Sequence, residues 1–212
     1  MSSKYIHESL GRLLCGLVRF ISGTAACWVD CEPSTRQRIY YGNHASHLDI
    51  AVLWASLPLE VRRLTRPVAA RDYWETSRFR RYLVNQIFNA ILIDRAGHGA
   101  GFSAAERSLE ATVAGMGSTH SLIIFPEGTR GAGAEIAPFK SGLYHIARRL
   151  PGVELVPVYM ENLNRILPKG EMLLVPLVSS ISFGRPLVLN EGENKTAFLG
   201  RARQALLNLA EI

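Results

Sequence analysis

A chain of 212 residues that is 48% hydrophobic and 20% charged can bury a sizeable core and is too apolar to be disordered. Lys and Arg number 24 against 18 Asp and Glu, and the net charge of +6 suits an anionic partner such as a phosphorylated substrate or an acidic membrane surface. Nucleic acid is the weakest such partner, because no reading motif or stacking signature accompanies the charge. Neither a repeat nor a low-complexity linker divides the chain, which argues for a single domain.

In chain order, Leu10, Leu13, Leu14, Leu17, Val18 and Ile21 recur at helical spacing with Arg12 and Arg19 between them. The pattern predicts an amphipathic N-terminal helix within residues 1–30, with the folded domain from 31 to 212. Such a helix suits a membrane interface or ordinary packing on the domain equally well. The best apolar run, Phe20 to Val29, is ten residues, well short of the roughly 18 a spanning helix needs. Arg19 also interrupts any signal-peptide reading. Cys15, Cys27 and Cys31 are odd in number and unevenly spaced, so buried, reduced thiols of an intracellular protein are expected, not a disulfide framework or zinc site.

Arg38 to Asn43 is β-prone and leads to His44-Ala45-Ser46-His47-Leu48-Asp49. On a continuous helix, five residues turn through roughly 500° and would point His44 and Asp49 apart. They meet if His44 sits in the turn after a strand and Asp49 in the first turn of the next helix. An imidazole held by a carboxylate is then a general base. Ile50 to Leu57 reads as a short helix ended by Pro58, and Pro67 to Ala70 as a buried strand. The basic clusters Arg62-Arg63 with Arg66, and Arg78 with Arg80-Arg81, are anion-facing or simply a solvated face. Phe79, Tyr82, Leu83, Gln86 and Ile87 predict a helix from about Trp74 to Ala90.

Strand Ile91 to Ile93 closes on Asp94-Arg95, and Ser103-Ala104-Ala105-Glu106 is a capping box opening a helix that stops near Gly115 or Gly117. Ser121 to Phe125 is a buried strand, followed by Pro126-Glu127-Gly128-Thr129-Arg130. Ser141 is placed to cap a helix over 142–150. Val153 to Tyr159 and Met172 to Phe183 supply further strands, and Lys195 to Leu209 a last helix. Alternating strands and helices give an α/β fold whose loops leave one sheet edge. A histidine base, two arginines and Lys140 at that edge suit a phosphorylated substrate bearing a hydroxyl.

Asn43-His44 with Asp49, then Ile93-Asp94-Arg95, then Phe125 to Arg130, then Val156-Pro157-Val158 resemble the four ordered motifs of the glycerolipid acyltransferases. The resemblance is to 1-acylglycerol-3-phosphate acyltransferases and related lysophospholipid acyltransferases, and Phe139-Lys140-Ser141-Gly142 follows the third motif as is common there. It implies a single-domain mixed sheet flanked by helices, glycerol-3-phosphate acyltransferase-like. It implies acyl transfer from an acyl thioester, coenzyme A or acyl carrier protein, to a lysophospholipid hydroxyl, most simply 1-acylglycerol-3-phosphate to give phosphatidic acid. His44 would take the hydroxyl proton and Asp49 would orient it. Arg95, Glu127, Gly128, Arg130 and Lys140 would shape the acceptor and phosphate site, and Val156 and Pro157 the acyl-donor or tunnel region. No metal or cofactor beyond the thioester is expected. The N-terminal helix would give peripheral or monotopic attachment to the cytoplasmic face of a membrane.

Alternatives stay open. Asp94-Arg95 alone reads as a surface ion pair, Glu127 as a tie within its loop, and His47 as a rival base. The chain could acylate another lysolipid, hydrolyse a thioester, or bind lipid without catalysis.

Overall fold

Side-chain alternation along one short strand divides the core in two. The computed structural model describes residues 2–46, 48–94, 102–129, 131, 136–161 and 179–211. Strand β2 (Arg38–Gly42) is buried throughout. Tyr40 faces one apolar layer, with Val52, Leu53 and Trp54, while Ile39 and Tyr41 face another, with Leu143, Ile146, Phe198 and Leu206. A period of two against apolar layers on both sides is what a central strand requires.

Around β2 lies a seven-stranded mixed sheet made from β1 (Ala25–Trp28), β3 (Thr65–Ala70), β4 (Ile91–Ile93), β5 (Ser121–Ile124), β6 (Glu154–Met160) and β7 (Ser180–Phe183). The order is β1-β7-β6-β2-β5-β3-β4. Strands β6, β2, β5, β3 and β4 are parallel; β7 runs antiparallel to β6, and β1 parallel to β7. The α/β mixed sheet expected from the motif order is therefore present.

Pro157 sits inside β6 without harm. Leu155 exchanges two backbone bonds with Leu187 on the β7 side. N–H directions alternate along a strand, so the missing N–H of Pro157 faces that same side, not β2. Its carbonyl accepts from Gly184 N at 2.9 Å.

Helix α1 (Ser2–Ser22) crosses α2 (Asp49–Ser56) on the Tyr40 face and packs there through Leu14, Cys15, Val18 and Ile21. Arg19 donates from Nε and Nη2 to the Ala55 carbonyl at 3.0 and 2.6 Å, satisfying the end of α2. Helices α6 (Phe102–Met116), α7 (Gly142–Arg149) and α8 (Lys195–Leu209) cover the other face. Tyr41 Oη donates to Ala202 O at 3.0 Å, pinning α8 to β2.

Several expectations change. The N-terminal helix ends at Ser22, and Ala25–Trp28 already belongs to the sheet as an edge strand. Gly23, at φ +54°, supplies the left-handed stop. The helix expected over 74–90 is broken into α4 (Arg71–Trp74), α5 (Arg78–Tyr82) and a π-helical turn, Leu83–Ile87. Ser77 is extended and its side chain accepts from Arg80 N, so a local cap wins over helix continuity. Phe79 consequently points out, while Val84 and Ile87 are buried.

At α6, Ser103 lies inside the first turn instead of preceding it. Ser141 is helical and makes no side-chain cap bond. Of the expected strand over 172–183, only 180–183 is seen as β7, and residues 172–178 lie outside the described residues. Cys15 is buried as expected, but Cys27 is exposed on β1 and Cys31 is half-buried.

A core position of β6 and an outward position of α1 show what burial contributes. Leu155 is fully buried beneath α8, whereas Leu13 is 68% exposed. Leu155→Ala is expected to destabilise the fold by about 2–5 kcal/mol and Leu13→Ala by less than about 0.5 kcal/mol, measured by urea unfolding.

Candidate active site

The C-terminal ends of β2, β5 and β6 emerge together, and their connections go to opposite faces of the sheet. After β2 the chain enters α2 on the Tyr40 face; after β5 it reaches α7 on the other. Such a divergence between neighbouring parallel strands opens a crevice at their ends. His44 follows β2 and Phe125 follows β5 at these ends.

His44 lies in the turn after β2, and Asp49 opens α2. The His44 Nδ1 to Asp49 Oδ2 distance is 2.8 Å. The same oxygen accepts from Ala45 N at 2.7 Å and Ser46 N at 2.9 Å. Asp49 is 1% exposed, so water does not compete for these bonds. Its position in the first turn of α2 adds the favourable field of a helix N-terminus. With Nδ1 engaged by the carboxylate, Nε2 carries the lone pair and has no partner among the described residues. The imidazole is 20% exposed and stacks on Phe125, ring centroids 4.5 Å apart at 21°.

Two further ties hold the His44 backbone. Its N–H donates to Glu127 Oε1 at 2.8 Å, and its carbonyl accepts from Gly131 N at 2.8 Å. Glu127, 4% exposed, spends its other oxygen on Ala137 N at 3.0 Å. Glu127 therefore joins the loop after β2, the loop after β5 and the segment leading to α7. Asn43 performs the matching task toward β6, donating to Met160 O and accepting from Met160 N, each at 2.8 Å.

Gly128 adopts φ +70°, and a Cβ there would stand 2.8 Å from Lys140 Cδ and Nζ. Only glycine leaves room for this lysine to lie across the turn. Lys140 N in turn donates to Pro126 O at 2.8 Å. Thus His44, Asp49, Glu127, Gly128 and Lys140 converge on one edge.

Val156 and Pro157 do not face that edge. Both are buried within β6, in register with Tyr40 and Tyr41, as packing behind the site. Arg95, Arg130, His47 and His98 lie outside the described residues, as does 164–175. Asp94 bonds to Arg71 Nε at 3.1 Å.

Two contributors escaped the residue-type reading. Phe125 stacks the base, and its only signal was an aromatic directly ahead of Pro126-Glu127-Gly128. Asn43 immediately precedes the histidine, yet nothing in its type announces a bond to a strand ending at residue 160.

Comparison with known proteins bears on this geometry. The family model described as Acyltransferase matches residues 30–161, which includes β2, α2, β5, β6 and every site residue named above. A 1-acyl-sn-glycerol-3-phosphate acyltransferase of Cocos nucifera is 28% identical over 181 residues, covering 84% of this chain and 55% of that protein. One from Limnanthes douglasii is 27% identical over 182 residues, covering 84% and 59%. The chain thus spans somewhat over half the length of these relatives.

Among solved structures, the 1-acyl-sn-glycerophosphate (LPA) acyltransferase PlsC of Thermotoga maritima superposes with a TM-score of 0.73 at 17% identity. The match covers 99% of this chain and 80% of that one, and so shares the fold. With more than half of its length inside the family model, this chain belongs to the acyltransferase family.

Proposed function

We propose that the chain transfers a fatty acyl group from an acyl thioester, carried by coenzyme A or acyl carrier protein, to the free hydroxyl of a lysophospholipid. The acceptor fitting best is 1-acylglycerol-3-phosphate, giving phosphatidic acid, the substrate class named for the plant relatives. One observation supports the reading: a stacked imidazole bonded through Nδ1 to a buried carboxylate, with Nε2 left without a partner among the described residues.

In the proposed reaction His44 Nε2 removes the hydroxyl proton as the alkoxide oxygen attacks the thioester carbonyl. The buried Asp49 carboxylate holds the tautomer and stabilises the imidazolium formed. Collapse of the tetrahedral intermediate breaks the carbon–sulfur bond, and the departing thiolate takes the proton from Nε2. The products are an ester and a free thiol, and the base is regenerated. No enzyme-bound acyl group is needed, because the acceptor alcohol is the nucleophile.

Lys140, laid across Gly128, is a point charge for the acceptor phosphate, and the family resemblance assigns Arg95 and Arg130 the same task. Glu127 is a positioning residue, since both of its oxygens are occupied by backbone N–H groups. Val156 and Pro157 contribute the rigid wall behind the donor site.

Among the described residues no helix is long and apolar enough to cross a membrane. Ile6, Leu10, Leu13, Leu17 and Phe20 nevertheless form an exposed stripe at helical spacing on α1, with Phe20 at 86% exposure. Such a stripe suits insertion into an interface, and we assign it to peripheral docking on the cytoplasmic leaflet that supplies the lipid.

His44→Ala should retain the fold and lose acyl transfer from labelled acyl-CoA to lysophosphatidate by about 10³-fold or more. Asp49→Asn should lose about 10²–10⁴-fold. Thiol release without acylated lipid would instead mark a thioesterase, and binding without turnover a lipid-binding module. Glu127→Gln replaces one of two acceptors by an NH₂ group. It should lower stability by about 1–3 kcal/mol and reduce kcat while leaving the lysolipid KM little changed, read from thermal melts and steady-state kinetics. Leu13→Asp with Phe20→Asp should abolish co-sedimentation with phosphatidylcholine vesicles without altering the melting temperature; undiminished sedimentation would remove α1 from membrane docking.

A further inference from the structure

Arg62 belongs to a basic cluster that the sequence presents as a solvated face, yet it is only 8% exposed. It lies on α3 (Leu59–Arg63), with its guanidinium carbon 5.0 Å from the Trp54 ring centroid. Among the described residues no carboxylate and no hydrogen-bond acceptor meets its side chain. Burial above all, and then the cations Arg19, Arg63 and Arg12, hold its pKa below the usual guanidinium value. With no acceptor supplied by the described residues, its nitrogens reach solvent along the neighbouring groove, where an anion would pair with them.

The side chain borders an open groove of about 710 Å³ between α1, α3 and the π-helical turn. Arg12 and Arg63 line the same groove and share its single lining carboxylate, Glu8. Arg12 Nη2 is 2.9 Å from Glu8 Oε1, and Arg63 bonds to the same oxygen. Three guanidiniums against one carboxylate leave two positive charges unbalanced. Tyr5, 65% exposed, forms an apolar lip of the groove. The groove also touches Thr65 and Asn89, which precede or open strands β3 and β4, so it lies at the sheet edge opposite His44.

We propose that this groove is a second anion site, which seats the phosphate of an anionic phospholipid against Arg62, Arg12 and Arg63, with Tyr5 at its rim. The chemistry selects an amphiphile: fork-shaped cations for phosphate oxygens inside, and the exposed Tyr5 ring at the rim. A volume of this size admits a headgroup and not a whole lipid. The site rests on the docking role of α1 proposed above, and it makes that docking selective for anionic membranes.

Two measurements test it. In co-sedimentation, wild type should prefer vesicles of equal parts phosphatidylcholine and phosphatidylglycerol over phosphatidylcholine alone. Arg62→Gln should lose about fivefold or more of the affinity for the mixed vesicles and none for the neutral ones. Loss on both vesicles alike, or on neither, overturns the site.

In thermal melts, soluble dihexanoyl phosphatidylglycerol should raise the melting temperature of wild type and leave Arg62→Gln unmoved, because only a ligand of the native groove stabilises it. Arg63→Gln, exposed and therefore safe for folding, should weaken the shift. Glu8→Gln should enlarge it by removing the competing carboxylate. An equal shift in wild type and Arg62→Gln, or the same shift with inorganic phosphate at equal concentration, overturns the lipid assignment. Should wild type ignore neutral vesicles yet show the Arg62-dependent shift, α1 docking fails and the groove stands.

Discussion

The bond on which the site depends is that between the His44 imidazole and one oxygen of Asp49. That oxygen also gathers the two N–H groups that follow the histidine, so the turn between β2 and α2 is wound around a single buried atom. A charge this deeply enclosed is tolerated because its donors are fixed before any substrate arrives. The ring cannot swing without breaking the turn, and the turn cannot relax without exposing an unpaired carboxylate. The orientation of the imidazole is thus a property of the backbone as much as of the side chains.

The rest of the site extends this constraint across the sheet. Glu127 carries it from β2 to the loop after β5 and on to the approach to α7. Asn43 carries it to the end of β6. Both side chains use paired oxygen and nitrogen atoms in place of ladder bonds just where the strands diverge. Both Glu127 oxygens and the Asn43 amide are thereby occupied by backbone groups, whereas Asp49 Oδ1 is buried without a partner among the described residues.

Helix α1 gives the molecule a second apolar surface. One side fills the layer over Tyr40 through Cys15, Val18 and Ile21. The other leaves five large apolar side chains in solvent. A helix apolar on two faces has room for its arginines only at the seams, and there they are used: Arg19 closes α2, and Arg12 joins Glu8 and Arg63. The exposed stripe and the His44–Asp49 pair share one scaffold, since α2 carries Asp49 at its start and packs against α1.

Much of this was legible from residue order. The buried strands announced themselves by apolar runs, and Lys195–Leu209 is a helix over the very residues its pattern indicated. The five-residue separation of His44 and Asp49 already required a strand-to-helix turn. Propensity failed where local bonds competed with it: Ser77 broke a long helix, and Ala25–Trp28 became an edge strand with no alternation to reveal it. By itself the sequence determined most of the buried strands, the last helix and the strand-to-helix turn that brings His44 to Asp49, because these depend on neighbours within one turn or one strand. Only the tertiary structure decided that both Glu127 oxygens meet backbone N–H groups, that Val156 and Pro157 are buried within β6, and that Arg62 is buried beside other cations. Those outcomes depend on contacts between segments far apart in the chain, which no local pattern encodes.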